Sequence, residues 1–180
     1  MGRLRHQTFS GATYFVTTKT RQNISLFQVH EVAETLIGKM LEYRDKGSYQ
    51  LHESVVMPNH LHLLITAGLS TSLAKAVQLV KGGSSHEIHR VRGTGAPIWP
   101  SGFHESTVRD HRDCKVKIDC IHFNPAVAKL PERPQDWPFG SASGKYQLDP
   151  IPQGLRPLGI QARDVGVEAP TNTSSLKEAC

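Results

Sequence analysis

Residues 48–67 read SYQLHESVVMPNHLHLLITA, two runs rich in apolar and β-branched residues on either side of Met57-Pro58-Asn59. Proline has no N–H to give a ladder and asparagine tolerates turn geometry, so the stretch predicts strands at about 49–56 and 60–66 joined by a hairpin or sharp bend. Side chains alternate along a strand, which sends Leu61, Leu63 and Ile65 to one face and His60 and His62 to the other. By strand rise the two imidazoles stand roughly 7 Å apart, close enough to converge on one divalent ion if a neighbouring element brings a third ligand. Two half-exposed strand histidines with no ligand at all give the same pattern, so the pair alone does not decide.

The flanking sequence supplies the rest of a small α+β domain. ATYFVTTKT (12–20), rich in aromatic and β-branched residues, predicts a first strand. Between Phe27 and Lys46 the apolar residues Val29, Val32, Ala33, Leu36, Ile37, Met40 and Leu41 recur at three and four, the period of an amphipathic helix that Gly47 closes. Ser70 or Thr71 is expected to cap a second helix bearing Leu73, Ala76, Val77 and Val80, interrupted at Gly82-Gly83 and resumed through SSHEIHR. IWPSGFHESTVRD (98–110) reads as a loop feeding a fourth strand at about 103–108. HRDCKVKIDCIHFN (111–124) reads as a short helix, with Pro125 opening the next turn. The order β-α-β-β-α-β-α matches a ferredoxin-like sandwich, an antiparallel sheet with helices on one face. Residues 1–146 are expected to form the domain and 147–180, Pro- and Gly-rich without apolar period, a loosely ordered tail.

Composition narrows the class. A chain of 180 residues suits one domain, and a formal charge of +5 with a pI near 9.2 makes a polyanionic partner plausible. The three cysteines, Cys114, Cys120 and Cys180, have neither CxxC spacing nor an even count, which argues against a disulfide framework or a zinc ribbon. MGRLRHQTFSG has no apolar signal region and no run approaches a membrane span, so a cytoplasmic location without a membrane partner is expected.

IDCIHFNP (118–125) bears on the histidine pair. On a helix Lys117, Cys120 and Asn124 share a face, and that face, packed beside His60 and His62, can present Asn124 as an oxygen ligand and residue 120 as a nucleophile. At this level Cys120 is equally open to being a nucleophile, a ligand or a small residue in another's place.

MPNHLHLLI, VKGGSS (80–85), IWPSGFHESTVRD, IDCIHFNPAVAKL (118–130) and ERPQDWPFGSAS (132–143), in that order, resemble the successive blocks of the REP-associated tyrosine transposases, a branch of the insertion-sequence-200 type. The resemblance spans about residues 10–146. It implies a ferredoxin-like core, a homodimer with a monomer as the alternative, and cutting and rejoining of single-stranded or hairpin DNA. It also implies Mg²⁺ or Mn²⁺ held by His60, His62 and, as third ligand, Asn124, with a tyrosine that attacks the scissile phosphate. The ion would neutralise phosphate charge, and the covalent link would store the bond energy.

The chain departs from that pattern at the nucleophile. Where the family has tyrosine, four residues before the Asn-Pro pair, this sequence has Cys120. A thiolate is a strong nucleophile, and Lys117 one turn away favours it. A cysteine sulfur nevertheless lies roughly 3–4 Å short of a tyrosine oxygen, and about 1 Å of misplacement can cost on the order of a hundredfold in rate. Three readings follow: a protein that keeps metal and DNA binding but has lost cleavage, a working cysteine, or another tyrosine (Tyr14, Tyr43, Tyr49 or Tyr146, with Tyr146 first among them) acting instead or a slipped alignment of residue 120 with the family's tyrosine. A catalytically inactive hairpin-DNA-binding protein on the same scaffold is the alternative function, and a metal-dependent hydrolase using water a third. Pro100 also stands where a polar residue is expected after Trp99.

The candidate DNA contacts are Lys81, Arg90, Arg92, Arg109, Arg112 and Lys117, each also readable as part of a solvated face. His86 and His89 have metal-pair spacing but suit a polar helix face better. His104 and His122 can assist with protons or DNA, or be structural. Trp99 and Phe103 can stack on bases or fill the core.

Overall fold

In the computed structural model, which describes residues 11–152, the principal elements are β1 (Thr13–Lys19), α1 (His30–Asp45), β2 (Tyr49–Met57), β3 (His60–Ala67), α2 (Leu73–Arg92), β4 (His104–Thr107) and α3 (His111–Val127). The four strands form one antiparallel sheet in the order β2-β3-β1-β4. This is the α+β arrangement that the order of the sequence patterns implies.

The sheet divides its side chains between two cores. Tyr14, Val16, Leu51, Val56, Leu61, Leu63 and Ile65 pack against the apolar faces of α1 and α2. Phe15, Val55, Met57 and Leu64 point the other way and receive Cys114, Cys120 and Ile121 of α3. The ferredoxin-like helices therefore share one face, and α3 lies on the opposite face with His60 and His62.

A bulge makes the second core possible. Leu51 pairs with Ile65 but Glu53 with Leu64, so one extra residue, His52, stands between them. The extra residue reverses the alternation of β2, and Glu53, Val55 and Met57 turn toward α3 instead of α1.

Three local expectations are corrected. Helix α2 is capped by Ser72, whose hydroxyl accepts from Lys75 N–H at 3.2 Å, not by Ser70 or Thr71. Gly82 and Gly83 do not interrupt α2; a Cβ at residue 83 would overlap the Tyr43 hydroxyl and lie 2.7 Å from its Cε2, so glycine leaves room for the Tyr43 ring of α1 against α2. Helix α3 runs through Pro125 to Val127. Proline there removes only one helical hydrogen bond near the end, and burial of Ile121, Phe123 and Pro125 holds the turn in place. The helix closes two residues later in a Schellman turn, with Lys129 at φ 59°, Lys129 N–H donating to Ala126 O at 2.9 Å and Leu130 N–H to Pro125 O at 3.0 Å.

Of the segment expected to be a tail, Asp149 meets the edge of β2: its N–H donates to Leu51 O at 2.8 Å and its carboxylate accepts from Leu51 N–H at 2.7 Å. Residues 153–180, including Cys180, lie outside the described residues.

Candidate functional site

The histidine pair sits where the hairpin meets β1 and α3. The ring centroids of His60 and His62 are 4.9 Å apart at an interplanar angle of 82°. The edge-to-face turn of the rings brings them nearer than strand rise alone suggests. Each ring is held by its Nδ1: Asn59 Oδ1 lies 2.7 Å from that of His60, and Thr17 Oγ1 lies 2.8 Å from that of His62. An amide oxygen accepts only, so His60 is protonated at Nδ1 and its Nε2 carries a lone pair. Asn124 Nδ2 lies 3.2 Å from His62 Nε2, where an amide N–H meets a bare imidazole nitrogen, and the same tautomer follows for His62. Phe15 stacks on His62 at 5.2 Å and 17°, closing the ring off from water.

That enclosure sets the charge state. Burial, then the nearby Lys19 ammonium, pushes His60 down to about 4, against a hydrogen bond with Asn124 that works the other way. Burial pushes His62 to about 3, with His60, Lys19 and Lys117 adding to it. Both imidazoles are neutral at pH 7, the state a metal ligand requires. Two Nε2 lone pairs and a carboxamide that can turn its oxygen inward form a donor set that fits a divalent ion. No group of three His, Cys, Asp or Glu side chains placed to hold a metal ion gathers among the described residues, and the polar side chain set beside the two rings is that of Asn124.

The helix face carrying residues 117, 120 and 124 lies against this site. Asn124 faces the histidines, while Cys120, one turn earlier, is buried in the second core beside Phe15 and Leu64. Lys117 Nζ stands 4.9 Å over the Phe15 ring, close enough to weigh on His62. All four tyrosines lie elsewhere. Tyr14 and Tyr49 are buried in the core under α1 and α2, and Tyr49 donates its hydroxyl to Met40 O at 2.7 Å. Tyr43 packs against α2 at Gly83. Tyr146 reaches Glu34 of α1 and Pro138 O, each at 3.3 Å. The sheet separates every one of them from the histidine pair.

The other basic candidates are dispersed. Lys81 donates to Pro100 O and Gly102 O, both at 2.7 Å, and so fastens the loop before β4; burial lowers its pKa. This contact uses the Pro100 carbonyl, which any residue there would supply. Arg90 pairs with Glu87, and with the exposed Arg92 it projects from α2, across the sheet from the histidines. Arg109 is exposed and 3.5 Å from Asp113, and Arg112 is exposed on the first turn of α3. Lys117 is the one among the six that lies beside the pair.

His89 Nε2 donates to Ala96 O at 2.9 Å, which ties the end of α2 to its following loop. His122 meets Glu53 at 2.8 Å, and His104 is exposed on β4 opposite Thr17. Trp99 is a core residue, tilted against Phe27 at 5.3 Å with its indole N–H on Ser84 Oγ at 3.2 Å, and Phe103 packs on the same core.

Sequence reading passed over Thr17 and Lys19. Both share the face of Phe15 on β1, and Lys19 pairs directly with His60 across the ladder. Parity along TYFVTTK groups them, but only the register of β1 on β3 shows what they face.

Comparison with known proteins gives a consistent result. Residues 9–118 match the family model described as "Transposase IS200 like". The chain is 23% identical over 155 residues to the REP-associated tyrosine transposase of Escherichia coli (strain K12), covering 83% of this chain and 90% of that protein. It is 24% identical over 168 residues to a protein of Haemophilus influenzae (strain ATCC 51907 / DSM 11121 / KW20 / Rd) with the name "Putative REP-associated tyrosine transposase", covering 85% and 92%. Its fold is similar to that of a REP-associated tyrosine transposase solved bound to a REP hairpin, with a TM-score of 0.66 at 22% identity, over 89% of this chain and all of that one.

Proposed function

This chain belongs to the IS200-like transposase family, and on that premise we propose that it binds hairpin DNA and its single-stranded flanks together with a divalent metal, but does not cut and rejoin DNA through a phosphotyrosine. The observation that supports the loss of cleavage is the position of the tyrosines, all four on the far side of the sheet from the histidines. The helix position one turn before Asn124 carries Cys120, which is buried and roughly 3–4 Å shorter in reach than a tyrosine, a displacement that in-line attack does not tolerate.

The remaining parts suit binding. His60 and His62 through Nε2, and Asn124 through its amide oxygen, would hold Mg²⁺ or Mn²⁺, which when bound supplies Lewis-acid stabilisation of phosphate charge. Lys19 and Lys117 flank the pair and offer ammonium groups to a phosphodiester passing it. The hairpin partner is taken from the relatives, one of which was solved with a REP hairpin. The same reading takes the working unit to be a homodimer, which light scattering of the purified chain tests.

The deciding experiment incubates a labelled hairpin oligonucleotide with Mn²⁺ and this protein, or with its Cys120→Tyr or Cys120→Ser variant. Retarded but unmodified DNA with the native chain, and a denaturation-resistant adduct with Cys120→Tyr, is the expected result. An adduct with the native chain that disappears in Cys120→Ser overturns the reading and makes the cysteine the nucleophile. Release of 5′-phosphate ends without any adduct would assign a hydrolase that uses water.

A further inference from the structure

The apolar packing of α3 on Phe15, Val55, Met57 and Leu64 is non-directional and does not by itself aim a polar side chain at one partner atom. Asn124 needs better placement than that, since its amide must face His62 Nε2. A directional contact joins the same turn of the helix to the sheet: His122 Nε2 lies 2.8 Å from Glu53 Oε2, with side-chain exposures of 14% and 17%. The two residues are 69 positions apart in sequence, and the contact exists only because the bulge at His52 turns Glu53 toward α3.

We propose that Glu53 and His122 are positioning residues for the candidate metal site, a polar pin that sets the height and roll of α3 and so holds Asn124 against His62. His122 is two residues before Asn124, so a displacement at one is transmitted rigidly to the other. Neither residue touches a candidate ligand; the pin acts through the helix backbone, by setting where Asn124 stands relative to His62. This proposal deepens the metal-binding reading given above and rests on it for its metal readout alone.

The test uses the full chain and two measurements. In the metal-free protein, the imidazole ¹⁵N resonances of His62 report the Asn124 hydrogen bond. In Glu53→Ala and His122→Ala they are expected to move toward the positions seen in Asn124→Ala, while Glu53→Gln, which keeps an acceptor oxygen, stays near the native protein. Mn²⁺ titration by electron paramagnetic resonance is expected to show an affinity about 10-fold or more weaker in both alanine variants, with the double variant no weaker than either single one. Removing one member of a mostly buried pair can destabilise the fold, so Glu53→Leu/His122→Phe, which replaces the pair with apolar groups of similar bulk, provides a stable background. It should melt near the native temperature yet show the displaced His62 resonances. His62 resonances unchanged in all of these variants overturn the pin. Mn²⁺ affinity unchanged in His62→Ala and Asn124→Ala overturns the metal reading instead, and the resonances still decide the pin.

Discussion

Gly82 and Gly83 are neighbours in the middle of α2, yet the structure predicts opposite consequences when each is changed to alanine. Glycine in a helix interior costs about 1 kcal/mol relative to alanine, so either replacement starts with that gain. At residue 82 a Cβ meets nothing within 4 Å, and the whole gain is expected, roughly 2–4 °C in melting temperature for a domain of this size. At residue 83 the Cβ would overlap the Tyr43 hydroxyl and lie 2.7 Å from Cε2 and 3.0 Å from Cζ. Either the ring swings away or α1 lifts from α2, and overpacking of this kind costs about 1–3 kcal/mol. The net expectation for Gly83→Ala is a loss of about 1 kcal/mol, leaving the two variants about 2 kcal/mol apart, or roughly 4–8 °C. Thermal unfolding followed by circular dichroism measures the gap, and a double-mutant cycle with Tyr43→Ala assigns it: with the ring removed, Gly83→Ala should become stabilising. If Gly83→Ala is as stable as Gly82→Ala, or its loss persists without the Tyr43 ring, the close approach of α1 and α2 at this point is refuted.

Three further outcomes are expected. Thr17→Val removes the hydroxyl beside His62 Nδ1 and should weaken Mn²⁺ binding about 10–100-fold in a calorimetric titration, whereas an unaltered affinity would show that the ring needs no such partner. Lys19→Ala and Lys117→Ala should each reduce the slope of log K against log salt for single-stranded DNA by about 0.7, and Arg90→Ala/Arg92→Ala, on the opposite face, should leave it unchanged; fluorescence anisotropy at several salt concentrations distinguishes these cases. His52 is buried, and desolvation lowers its pKa despite the opposing pull of Asp149 and Glu53. The unfolded chain then binds more protons than the folded one below pH about 6.5, so stability is complete above that value and falls as the pH drops through it. Urea titrations at pH 7.5 and pH 5 should therefore show a smaller acid loss in His52→Gln, and an equal loss would place the acid sensitivity elsewhere.

Local periodicity carried much of the architecture. The alternation in HLHLLITA put the two histidines on one face and the three aliphatic residues on the other, and both cores agree with it. Spacing of three and four placed α1 and α2, and Gly47 closes α1 in the left-handed conformation that glycine adopts without strain. The helix period also grouped Lys117, Cys120 and Asn124, and Asn124 does meet His62. These features depend on residues within one or two turns of each other, which is the range over which sequence and backbone geometry are directly linked.

The misread points share a different origin. Gly82-Gly83 reads as a break and Pro125 as a boundary because propensity sees only neighbours, whereas Tyr43 from another helix and the burial of Ile121 and Phe123 decide those positions. The bulge at His52, the cross-strand placement of Thr17 and Lys19, and the contact of Glu53 with His122 are matters of register between segments tens of residues apart. Local pattern suffices for the order of elements, the shared face of His60 and His62, and the absence of a tyrosine at residue 120. That all four tyrosines face the other core emerges only once the chain is folded, because which side of a sheet a residue joins depends on strand pairing and on one inserted residue, neither of which has a local signal.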